Sequence, residues 1–121
     1  MTLTLHGIKN CDTMKKARAW LDANAIAYRF HDYKTAGVDP ANLVAWCAAL
    51  GWETVLNRNG TTFRALPEGA RSKLDSERAI ALMIAQPSMI KRPILSGSHK
   101  NHAILLAGFK PETYAMALLL A

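Results

Sequence analysis

Polar and apolar residues alternate through Thr2-Leu3-Thr4-Leu5-His6, and Gly7 closes the run. A period of two sets Leu3 and Leu5 on one face, the pattern of a strand half buried against a core. From Asp12 to Ala23 the period lengthens: Met14, Ala17 and Leu21 recur at helical spacing among the helix formers Lys15, Lys16 and Arg18, so a helix begins at Cys11. Alternation returns over Ile26–Tyr33, a stretch rich in aromatic strand formers. Strand, helix and strand within about 30 residues predict a crossover unit with parallel strands.

Asp39-Pro40 supplies a helix cap and a first-turn proline. The apolar set Leu43, Trp46, Cys47 and Leu50 then runs to a stop at Gly51. Trp52–Leu56 predicts a short helix, Asn57–Gly60 a polar turn, and Asp75–Ala85 a further helix halted before Pro87. Residues 39–86 thus form a helical insertion. The apolar runs Ile94–Ser96 and Ala103–Leu106 flank the polar segment Gly97–Asn101 and predict a hairpin, and Pro111 opens a last helix over Glu112–Leu120. The order predicts an α/β fold: a four-stranded mixed sheet flanked by helices, with the helical insertion between its second and third strands.

A chain of 121 residues forms one domain with a real core and needs no disulfide or metal to staple it. Its apolar stretches fall well short of the ~20 residues that cross a bilayer, and Met1–His6 lacks the basic and apolar regions of a secretory leader, so a cytoplasmic location is expected. The net charge of +6 favours anionic partners such as acidic protein surfaces, glutathione or oxyanions. The basic residues are scattered from Lys9 to Lys110, a distribution that argues against nucleic acid.

Only Cys11 and Cys47 can supply thiol chemistry. Cys11 stands where the first strand hands over to the first helix, so unpaired amide N–H groups and the positive end of the helix dipole face its sulfur and favour the thiolate. Lys9, Lys15 and Lys16 add positive charge nearby, and Asp12 opposes it. Cys47 belongs to the apolar stripe of its helix and is expected to act as a small hydrophobe. Residue 14 is Met, so Cys11-Asp12-Thr13-Met14 holds no local resolving thiol and turnover needs an outside one, for which glutathione is the abundant candidate. Arg92-Pro93 is a candidate cis bond at the mouth of the third strand. Arg58, Arg64 and Arg92 each offer a planar fork of donors to a carboxylate or oxyanion. His99 and His102 fall on the hairpin with no third ligand beside them, so no metal is expected.

The run Gly7-Ile8-Lys9-Asn10-Cys11-Asp12-Thr13-Met14-Lys15-Lys16-Ala17 resembles the signature of the arsenate reductase-like (ArsC) family, in particular its YffB branch. Phe30–Tyr33, Gly60–Arg64, Ile90–Pro93 and Gly108–Pro111 agree with it, so the resemblance spans nearly the whole chain. It implies a thioredoxin-like fold with a helical insertion, Cys11 as the redox cysteine and a cis-proline at Pro93. Lys9, Asn10, Asp12, Arg58, Arg64, Arg92 and Pro93 become the expected contacts to glutathione or substrate. In the family's arsenate reductases three arginines bind the oxyanion; Arg92 and Arg58 match two, and no arginine follows Arg92. The Spx branch is similar in fold and acts as a redox-sensing adaptor on RNA polymerase through a Cys-x-x-Cys switch, whose second position here is Met14. The reading that follows is a glutathione-dependent thiol-disulfide reductase, with arsenate reduction and an Spx-like adaptor as alternatives.

Overall fold

The structure is a computed structural model and describes residues 2–120. The chain packs into two compact units, one formed by Met1–Asp32 with Arg92–Ala121 and the other by Tyr33–Lys91. The helical unit is therefore wider at both ends than the insertion expected over 39–86.

The first unit carries the sheet. Its strands are β1 (Leu3–Gly7), β2 (Arg29–Asp32), β3 (Ile94–His99) and β4 (His102–Ala107), arranged β2-β1-β3-β4. β1 runs parallel to β2 and antiparallel to β3, which gives the mixed sheet that the element order predicts. Helix α1 (Asp12–Ala23) lays Met14, Ala17 and Leu21 on a core shared with Leu3 and Leu5 of β1, Leu95 of β3, and Tyr114 and Leu118 of α8 (Pro111–Leu118). Burial of these apolar side chains, at about 1.5–3 kcal/mol each, is what holds α1 and α8 to the sheet.

Three local expectations are corrected. The second strand starts at Arg29 rather than Ile26: Ala25 takes a left-handed φ of 55° and the Ile26 amide donates to the Leu21 carbonyl at 3.0 Å, so the end of α1 keeps the chain from the sheet until residue 29. The hairpin turn is not Gly97–Asn101 but the pair Lys100-Asn101, both at positive φ (50° and 66°), the conformation of a tight two-residue hairpin. Gly97 lies inside β3 at φ 122°, where an added Cβ would fall on the carbonyl oxygen of Thr2. Tyr33, expected at the end of a strand, opens the helical unit instead.

In that second unit, α2 (Tyr33–Ala36) is followed by α3 (Pro40–Leu50), whose Asp39 cap accepts from the Ala41 amide at 2.9 Å. α4 (Trp52–Val55), α5 (Thr61–Arg64), α6 (Glu68–Arg71) and α7 (Ser76–Ala85) follow, with a 3-10 turn over Pro87–Met89. Leu43, Trp46, Val55, Phe63, Ala79, Met83 and Met89 are buried there. The single turns α5 and α6 were not predicted, because one turn is too short to express a hydrophobic period. Among the described residues no helix is long and apolar enough to cross a membrane.

Candidate functional site: a cysteine at the start of α1

The pairing of β1 with β3 builds the site. His6 lies opposite Ile94 in an antiparallel register, so the residues leaving β1 toward Cys11 run beside those entering β3, Arg92 and Pro93. The Arg92-Pro93 bond is cis, and the Pro93 carbonyl accepts from the Gly108 amide at 2.8 Å.

Cys11 is partly exposed, holds the N-cap position of α1 in extended backbone (φ −124°, ψ 130°), and packs its inner side on the core of the first unit. Its side chain makes no cap hydrogen bond of ordinary geometry. Burial pushes the thiol up, but the Met14 and Thr13 amides that face the sulfur and the charged, hydrogen-bonding guanidinium of Arg92 outweigh it, so the thiol is held below its ordinary value. The stabilised species is the nucleophilic thiolate.

The positive charge at this sulfur therefore comes from Arg92, distant in sequence, and not from the neighbouring lysines. Lys9, Asn10, Asp12, Lys15 and Lys16 are all exposed. Arg58 and Arg64 belong to the second unit: both are exposed, and the Arg58 guanidinium lies 5.7 Å from the centre of the Trp52 ring. Cys47 is buried on α3, and burial pushes its thiol up, away from reactivity.

Met14, at the place of a second cysteine, is buried beneath Gly7. A Cβ added to Gly7 would meet the Met14 sulfur and come within 2.7 Å of its Cε, so any larger residue there displaces the end of the Met14 side chain.

Sequence reasoning missed His6. It is buried on the face of β1 opposite Leu5, its Nε2 lies 2.9 Å from the Ser96 hydroxyl, and its ring centre lies 5.2 Å from that of His31. Burial, with the charge of His31 second, lowers its pKa to about 4. The strand pattern assigned His6 a polar position, and only a buried polar strand residue beside a second histidine in register could have signalled this.

Residues 6–117 match the model of the ArsC family. The chain belongs to the ArsC family. Among solved structures similar to this ArsC-family chain, the YffB protein is 58% identical over 97% of this chain and 99% of its own, with a TM-score of 0.90. An arsenate reductase (ArsC) related protein from Brucella melitensis is 52% identical over 96% of this chain and 93% of its own, with a TM-score of 0.73. An uncharacterized protein of Haemophilus influenzae is 37% identical and covers 95% of this chain and 97% of its own. The two solved structures have the fold described above, the four-stranded mixed sheet flanked by helices of the ArsC family.

Proposed function

We propose that this ArsC-family protein is a thiol-disulfide reductase that works through the single sulfur of Cys11 and takes its electrons from glutathione. The observation that carries the reading is the Cys11 thiol, partly exposed and held low by the Thr13 and Met14 amides and by Arg92. In the first step the thiolate attacks one sulfur of a disulfide; the S–S bond breaks, the other sulfur leaves as thiolate and takes a proton from solvent, and Cys11 is left in a mixed disulfide. In the second step a glutathione thiolate attacks that mixed disulfide, forming oxidised glutathione or a glutathionyl adduct and returning Cys11 to its anionic form. Thiolate character speeds the first step, and a low Cys11 pKa also makes it the better leaving group in the second.

Met14 supports the outside thiol, since a methionine thioether cannot close a disulfide with Cys11. Arg92 would also steady an anionic group on the incoming partner, whether a glutathione carboxylate or an oxyanion.

The test is glutathione-coupled reduction of a small mixed disulfide by wild type, Cys11→Ser and Cys47→Ser. Turnover should vanish in the first variant and persist in the second. Equal rates in all three would sink the assignment, and Cys11-dependent turnover of arsenate exceeding that of disulfides would replace it with arsenate reduction.

A further inference from the structure

The two-residue hairpin turn changes how two histidines stand to each other. Read as a polar loop over Gly97–Asn101, the sequence leaves His99 inside the loop and His102 beyond it. In the structure β3 runs through His99 and β4 starts at His102, with Lys100-Asn101 alone as the turn, so the two histidines are directly opposed in the antiparallel register. Opposed residues project from the same face of a sheet with Cβ atoms about 4.5–5.5 Å apart. From that spacing two imidazoles can converge on one ion at metal–nitrogen distances of about 2.0–2.1 Å. The spacing is fixed from behind, because the ladder continues unbroken through Ser98–Ala103, Gly97–Ile104 and Ser96–Leu105.

Neither ring is engaged elsewhere. His99 is half-buried and His102 exposed, and among the described residues neither side chain makes a hydrogen bond, an ion pair or a ring contact. The other in-register pair, His6 and His31, differs: His6 is buried and its Nε2 lies 2.9 Å from the Ser96 hydroxyl. No further His, Cys, Asp or Glu joins His99 and His102 in a group of three among the described residues, so the chain offers two neutral nitrogen donors and leaves the other coordination positions to water. That donor set selects a class of ion. Imidazole suits Cu²⁺, Ni²⁺ and Zn²⁺, whereas Mg²⁺ and Ca²⁺ take oxygen ligands. Lys100 adds a like charge at the turn, but it is exposed and its repulsion is screened by solvent and salt.

We infer that His99 and His102 form a two-histidine chelate for a divalent late transition-metal ion, one that ties β3 to the edge strand β4. Two protein ligands make it an open, exchangeable site, and its affinities follow the general order for nitrogen donors, with Cu²⁺ above Ni²⁺. The six residues of β3 span about 17 Å at ~3.4 Å per step, so the ion lies at the end of the strand away from Arg92-Pro93 and is no ligand of the Cys11 sulfur. The inference is independent of the reductase reading.

The test is calorimetric titration of Ni²⁺ into the full chain carrying Cys11→Ser, which removes a competing thiolate. One ion should bind per chain. His99→Ala and His102→Ala should each weaken binding at least tenfold, and the double variant little further, because a chelate needs both rings; full affinity in either single variant overturns the inference. Ser98→His combined with His99→Ser keeps the number of histidines but turns one to the opposite face of the sheet, and should lose as much affinity as His99→Ala. Undiminished binding by that swap overturns the cross-strand geometry. His6→Asn and His31→Gln should leave binding unchanged; a tenfold loss in either would relocate the site to the buried pair and overturn the assignment. Cu²⁺ should bind at least tenfold more tightly than Ni²⁺, and millimolar Mg²⁺ should not displace Ni²⁺. Displacement by Mg²⁺ would mean oxygen ligands and overturn the chelate.

Discussion

His6 makes folding stability depend on pH in a way the structure quantifies. In the unfolded chain its imidazole titrates near 6.5, while in the folded protein burial, and then the charge of His31, lower it to about 4. Between these values the unfolded chain holds more protons than the folded one, so stability rises with pH across the window. It is fully present above about 6.5, erodes as pH falls, and stops eroding below about 4. A gap of that size corresponds to about 3 kcal/mol, of which about 2.5 kcal/mol is lost by pH 4.5. Carboxylates elsewhere also respond to acid, so the comparison must be with a variant that cannot titrate at this position. His6→Asn keeps a group able to hydrogen-bond the Ser96 hydroxyl, which lies 2.9 Å from the native ring. Urea unfolding of both proteins at pH 7.5 and pH 4.5 should show the wild-type midpoint falling by roughly 1–2 M more than that of the variant, given a slope of about 1–3 kcal/mol/M. His31→Gln removes the secondary cause and should narrow the wild-type loss without abolishing it. Parallel losses in wild type and His6→Asn would refute the reasoning, because a buried neutral imidazole could not then be costing anything to protonate.

At the thiol, Arg92→Met removes the side-chain cation that lowers the Cys11 pKa and should raise it, so alkylation by iodoacetamide slows several-fold at pH 7 and the difference closes at alkaline pH where both thiols are ionised. Gly97→Ala combines a φ of 122° with a Cβ driven into the fixed Thr2 backbone and should cost about 2–4 kcal/mol, read as a lowered unfolding midpoint. Tyr114→Phe should be neutral or stabilising by about 1 kcal/mol, since the buried hydroxyl has no hydrogen-bond partner among the described residues and its ring contacts with Trp20 and Phe109 survive the change.

Local order was legible because it depends on neighbours along the chain. The alternation of Thr2–His6 and the helical spacing of Met14, Ala17 and Leu21 placed both β1 and α1 to within a residue. The Asp39 cap and the proline at position 111 marked two further helix starts correctly, and the helix read over Asp75–Ala85 starts one residue later, at Ser76, with Asp75 as its cap. Gly97 was misread because glycine in a polar run signals a turn, whereas its observed role is to let the chain around Thr2 approach β3 closely, a contact invisible in the local sequence.

Local sequence dictates the four strands, the longer helices and the cysteine at the first strand-to-helix junction, because propensity, period and capping act over a few residues. The tertiary structure alone decided which charge reaches that sulfur. Lys9, Lys15 and Lys16 are its sequence neighbours but are exposed, while Arg92 arrives through the antiparallel register of β1 and β3. It likewise decided that His6 is buried and neutral beside His31, and that Lys91 lies against the Asn57–Asn59 turn. Electrostatic interactions depend on separation in space and on exclusion of water, and both are set by strand pairing between segments far apart in the chain.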